Sequence, residues 1–315
     1  MTDAELMLVG EQAIEVFEAV GDDLGLARAW RLVDQTEYRA RRAGPSVTAA
    51  ERALAYARRA GDQFEEREIV QFLLTSLILG PEPAGEAVTR CERSLAAASA
   101  DPILELNGLG ALAYFFAIQG RSAEAQDLLS RCRGLMGPLG AGFWVPPVYF
   151  ALAATWRDDP VAAERELRPG HLALTQVNEK SNFSSLAVVL AQAVYSQDRY
   201  DEAEALAEEA RLASQPIDVQ CDTIWRTVKA KVLARRGESE AAENLASEAI
   251  AYIEDSDFIP VHAQALMDLE EVLRLGGRPS EGLPVLDRAV RLWEQKGNVV
   301  AAAHARERKG RAQRF

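Results

Sequence analysis

The 315-residue chain carries 48% hydrophobic and 26% charged residues, with 54 Ala and 36 Leu against 10 Ile. That balance favours helix over strand and excludes a disordered tail. A formal charge of -13 argues against a polyphosphate partner, because nucleic-acid binding draws on Lys and Arg to displace counterions.

In chain order, the first predicted element is an amphipathic helix over roughly residues 5–20, with Ala13 on its apolar face. A second helix follows in LGLARAWRLVDQTEYRA. Beyond it, segments lay over one another on a small residue: Ala13, Ala50, Ala87, Ala125, Ala163, Ala203, Ala242 and Gly282. Successive anchors stand 37–40 residues apart, the signature of a repeated supersecondary unit. The fourth residue after each anchor is apolar. The anchor and the seventh residue after it are small throughout, Val20 excepted. Positions i, i+4 and i+7 share one face of a helix, and small residues there admit a neighbouring helix at close range. We call this helix B.

Turn signals precede most anchors: Gly44-Pro45, Gly80-Pro81, Gly120-Arg121, Asp158-Asp159-Pro160, Asp198-Arg199 and Gly277-Arg278-Pro279. Gly suits the left-handed cap closing one helix and Pro the first turn of the next. Upstream of those turns run further amphipathic stretches, helix A. The unit is an antiparallel A–B hairpin. Two stretches break the pattern. GLMGPLGAGFWVPP spans Gly134 to Pro147, with Phe143-Trp144 as a lip or inter-repeat filler, and Pro169 sits deep inside a B helix, predicting a kink or early stop. Residues 299–311 form a lone A-like helix, whose polar outer face suits a cap. The tail from Arg306 to Arg314 is the one basic excess.

The segment LGALAYFFAIQGRSAEAQDLLSRC, with Leu112, Ala113, Phe116, Gly120, Ala125, Leu129 and Cys132 in register, resembles the tetratricopeptide repeat (TPR) family. The period exceeds that family's usual length, and several units lack the aromatic opening helix A. FEAVGDDLGLARAW and LWEQKGNVVAAAHARER at helix junctions resemble the C-terminal region of bacterial multidomain signalling ATPases and LuxR-type, MalT-like regulators. The resemblance implies an all-α, right-handed superhelical solenoid of seven to eight repeats. Residues 1–315 are then expected to form one such domain, opened by an orphan B helix over 5–20 and closed by the capping helix over 299–311, and to be a piece of a longer regulator.

Chemistry has little to stand on. No P-loop is present, and only five Lys occur, which argues against ATP hydrolysis. His171, His262 and His304 lack partners at ligand spacing. Cys91, Cys132 and Cys221 stand apart, as in a reducing cytoplasm. The N-terminus reads as no signal peptide, and no apolar run reaches membrane-spanning length. The expectation is a non-enzymatic module without cofactor or metal, binding a protein or peptide segment or a small inducer. No contact with nucleic acid or membrane is expected, and a homo-oligomer is an option. The resemblance puts A-helix residues on the concave face: Arg39, Arg42, Phe72, Asn107, Tyr114, Trp156, Gln192, Tyr195, Lys231 and Arg235. Basic at both ends, this lining has an aromatic centre. The Lys and Asn pattern of a chaperone-tail clamp is missing. Two alternatives stand beside this reading: an α/α-toroid enzyme acting on glycans or lipids, and a scaffold that self-associates through its ends.

Overall fold

The computed structural model describes residues 1–96, 101–139, 159–177, 180–215 and 218–313. Among these residues every regular element is helical. α1 (Asp3–Val20) is a B helix. Complete hairpins follow in α2 (Asp23–Arg39) with α3 (Ala43–Ala60), α4 (Gln63–Leu79) with α5 (Ala84–Ala96), and α6 (Pro102–Ile118) with α7 (Ser122–Leu139). α8 (Pro160–Val177) is the next B helix, and the segment before it lies outside the described residues. Further hairpins are α9 (Ser181–Tyr195) with α10 (Tyr200–Ala213), α11 (Val219–Arg235) with α12 (Ser239–Ile253), and α13 (Ile259–Leu275) with α14 (Gly282–Lys296). α15 (Val299–Ala312) is an A helix. From α1 to α7 and from α8 to α15 each helix packs on its sequence neighbours, and the A helices also touch in the series α2, α4, α6 and in the series α9, α11, α13.

The anchors explain the packing. Ala50, Ala87, Ala125, Ala163, Ala203 and Ala242 have no exposed surface, and Gly282 is buried as well. Only Ala13 on α1 is half-exposed. At Gly108 the approach is so close that a Cβ would stand 2.2 Å from Leu95. Local chemistry sets the helix ends: Asp22, Asp62, Asp101, Asp218 and Asn298 cap A helices with side-chain oxygens, satisfying N–H groups that have no partner within the helix.

Arginine–carboxylate pairs repeat at nearly the repeat period and join adjacent hairpins. Arg31 binds Glu65, Arg67 binds Asp101, Arg168 binds Glu202, Arg235 binds Glu271 and Arg278 binds Glu243. Such pairs contribute little singly where exposed. Glu65 and Asp101, nearly buried, depend on theirs.

Two local expectations need correction. α8 does not stop at Pro169 but runs on to Val177. Leu167, Gly170 and Leu174 are buried on one face past and around the proline, and that packing offsets the backbone hydrogen bond it removes. Gly44-Pro45 is not the turn but the first turn of α3, where a missing N–H costs nothing. The turn lies just before it, with Arg41 in the left-handed region at φ 64°.

The solenoid winds until it meets itself. The Arg41 guanidinium donates to the Tyr252 carbonyl. Backbone N–H groups of Ala43 and Gly44 donate to the Asp257 carboxylate at 2.5 and 2.8 Å. Lys296 Nζ donates to the carbonyls of Leu77, Gly80 and Glu82 at 2.6, 2.8 and 2.9 Å. Tyr38 meets the Phe258 ring edge-on at 5.0 Å. All these hydrogen bonds join residues 211–219 apart in sequence. At a repeat of about 38 residues, that is one turn per about five and a half hairpins. One core cluster accordingly runs from α2 through α6 and takes in Ile253, Phe258 and Val261 from the far end. The accessible surface, 13567 Å², is close to the roughly 13,000 Å² of a compact globular monomer of this mass.

Candidate ligand site on the superhelix axis

Residues of the A helices α4, α6, α9, α11 and α13 leave a cavity of about 160 Å³ between them. Tyr114, Gln192 and Lys231 line it together. Each stands eleven residues before its anchor, so one repeat position, contributed by three hairpins, converges on one place. Gln220 and Gln264 add two more carboxamides, and Trp293 of α14 supplies an aromatic wall. No carboxylate lines the cavity among the described residues.

The other expected residues are dispersed. Arg39 bonds Asp3 at 3.0 Å, Arg42 pairs with Glu37 at 2.6 Å, and Phe72 packs edge-on against Tyr38. Asn107 is buried on α6, its Oδ1 without a partner. Trp156 and the Phe143-Trp144 pair lie outside the described residues. Tyr114 and Tyr195 are 2% and 5% exposed, so neither presents an open ring. For Tyr114 the sequence carried a signal: PILELNGLGALAYFFAI is apolar on every side, the mark of a helix buried all round.

At the C-terminal end the expected basic lining is neutralised by α13. Lys231 pairs with Asp268 at 2.9 Å, and its ammonium sits 4.4 Å from the Tyr195 ring centroid. Tyr195 donates to Glu271 at 2.9 Å, and Arg235 donates to both Tyr195 and Glu271. Burial opposes the Glu271 charge, but Lys231, Arg308, the Tyr195 hydroxyl and Arg274 hold this carboxyl below its ordinary range. Burial, aided by Glu271, raises the Tyr195 phenol. Gln264 donates to Asp268 at 3.1 Å. Among the described residues no hydrogen bond engages the side-chain carboxamide of Gln192 or Gln220, so the cavity offers amide chemistry rather than net charge.

Lys296 and Asp257 were not anticipated. The Leu77 carbonyl lacks an ordinary helical partner because the residue four on, Pro81, has no N–H; Lys296 supplies one. Its side chain has no exposed surface, and burial lowers its pKa to about 7 against the pull of Glu82, Cys91 and Asp257.

No protein-family model matches the sequence, and no curated protein matches it. Solved structures do. The Cut9 assembly structure, an APC/C hetero-tetramer Cut9-Hcn1, aligns at TM-score 0.60 and 13% identity over 90% of this chain and 55% of that one. A Rap protein complexed with Competence and Sporulation Factor aligns at 0.50 and 12% over 99% and 98%. Yeast Tom70 aligns at 0.49 and 13% over 99% and 60%. The chain therefore spans little more than half the length of the Cut9 chain. The fold is a helical-repeat solenoid like that of tetratricopeptide-repeat proteins. Among the described residues no group of His, Cys, Asp and Glu could hold a metal ion, and no helix is long and apolar enough to cross a membrane.

Proposed function

We propose that this chain is a non-enzymatic interaction module that holds a peptide or protein segment, or a small inducer, against the axial face of its A helices. The observation carrying this reading is the convergence of Tyr114, Gln192 and Lys231, one repeat position, on a cavity shared with Gln220 and Gln264. Carboxamides both donate and accept, which suits the peptide group of an extended segment. The Rap protein, a neighbour of nearly equal length, is complexed with Competence and Sporulation Factor; by analogy a bound factor here is the expected state. On this reading the module works in the cytoplasm as the sensor or interaction part of a signalling or transcription regulator, a role the long-repeat resemblance of its helix junctions supports. Among the described residues no pair of acids lines this cavity, where the toroid-enzyme alternative would need one.

The test is a panel of uncharged peptides read by calorimetry, followed by Gln192→Leu with Gln220→Leu on whichever peptide binds. The expected outcome is binding weakened tenfold or more, about 1.4 kcal/mol, with an unchanged melting temperature. Equal binding by the double variant counts against the site.

The scaffold reading keeps one specific observation in its favour. α1 leaves Leu8, Val16 and Val20 exposed at 53%, 60% and 70%. Light scattering over a concentration series tests it, and a strict monomer removes it.

A further inference from the structure

The axial cavity and the seam between superhelical turns share their building blocks. Ile78 and Leu79 line the cavity and lie between Leu77 and Gly80, whose carbonyls receive Lys296. Trp293 lines it one helical turn before Lys296 on α14. Tyr114 lines it beside Phe115, whose ring centroid is 5.7 Å from the Lys296 ammonium. Pro260 and Val261 line it just after Asp257, the second clamp. The facing wall, with Gln192, Gln220 and Lys231, comes from α9 and α11, which neither clamp touches.

We propose that the seam gates the cavity: the site exists only while Lys296 and Asp257 hold successive turns together, so occupancy and seam closure stabilise each other. This rests on the reading of the cavity as a ligand site and adds its regulation. Separating the turns carries Ile78, Leu79 and Tyr114, on α4 and α6, away from the lining that α9, α11, α13 and α14 contribute and that Lys231 and Asp268 keep together. A ligand bridging both walls binds the closed state better than the open one, and that difference in affinity is the coupling. The ligand class follows from the lining. Lys231 is committed to Asp268, leaving uncommitted amides beside apolar walls and selecting an uncharged, amide-bearing group. At roughly 30 Å³ per water in the liquid, the cavity of about 160 Å³ has room for one residue of a peptide segment.

The probes are N-acetylalanine methylamide and N-acetylglutamine methylamide, with N-acetylglutamate methylamide as the charged comparison. Titrations follow the Trp293 indole N–H resonance, assigned with Trp293→Phe. The neutral diamides are expected to shift it in the wild type, and Lys296→Met is expected to weaken their binding at least tenfold. Should that variant fail to fold, Asp257→Ala loosens the other clamp and is expected to weaken binding by a smaller factor.

A disulfide supplies the rescue. A Cβ at Gly297 would lie 3.5 Å from the Ala84 Cβ, within disulfide reach; the left-handed φ of 76° at Gly297 strains a cysteine there, so the reduced double variant is the reference for the oxidised one. Oxidised Ala84→Cys/Gly297→Cys is expected to restore binding in the loosened background, and reduction to abolish it again. Wild-type affinity in the loosened variants overturns the gate while leaving the cavity site standing. Absence of any diamide shift in the wild type and in the oxidised form overturns the site itself.

Discussion

The two clamps of the seam do the same job at opposite helix poles and in opposite environments. Asp257 is an anion, half-exposed, accepting two N–H groups at the start of α3. Lys296 is a cation without exposed surface, donating to three carbonyls in the last turn of α4 and just past its end. Each charge matches the helix pole it meets. The difference lies in solvent: water can replace Asp257 at its N–H groups, whereas nothing replaces Lys296 among buried carbonyls. Equal geometry should therefore yield unequal energetics.

The largest expected effect is on Lys296→Met. It strands buried acceptors and should lower unfolding stability by about 2–4 kcal/mol, read by chemical denaturation at pH 7. A gain in stability would mean that relief from burying a cation outweighs the lost hydrogen bonds.

Titration sharpens the contrast. The folded chain releases the Lys296 proton near pH 7, whereas the unfolded chain keeps it to about 10.5. Between those values the unfolded state binds more protons, so this group makes stability rise with pH, by at most about 1.4 kcal/mol per pH unit. The slope difference between wild type and Lys296→Met over pH 7–9 should show that rise. Equal slopes would mean that the ammonium keeps its proton in the folded chain.

Asp257→Ala comes next, with an expected loss of about 1 kcal/mol, as for other removed helix caps. A loss equal to that of Lys296→Met would erase the distinction by burial. The smallest effect is non-additivity: because both clamps hold one seam, the double variant should lose at least about 0.5 kcal/mol less than the sum. Strict additivity would make the clamps independent.

The hairpins were legible for a local reason. Positions i, i+4 and i+7 decide which face of a B helix is buried, and Ala50, Leu54 and Ala57 show it directly, each nearly or wholly inaccessible. Tyr114, Gln192 and Lys231 hold one repeat position, eleven residues before their anchors, and line one cavity. The seam was not. Ala43 and Asp257 meet only because small rotations accumulate over five hairpins, and no sequence window records that sum. Arg39 and Arg42 show what a local reading leaves out. Their basic character read as groove lining, but their partners, Asp3 and Glu37, lie on neighbouring or the same helices. Pro169 shows a local rule yielding to burial on the opposite face of its helix.

The solenoid closes on itself after about five and a half repeats. Spin labels on the exposed positions Glu86 and Gln295, flanking Ala84 and Lys296 across the seam, test it most directly by double electron–electron resonance. One narrow distribution at short distance in the wild type, broadening and lengthening in Lys296→Met, is the predicted result. A broad, long distribution in the wild type, unchanged by the substitution, would contradict closure.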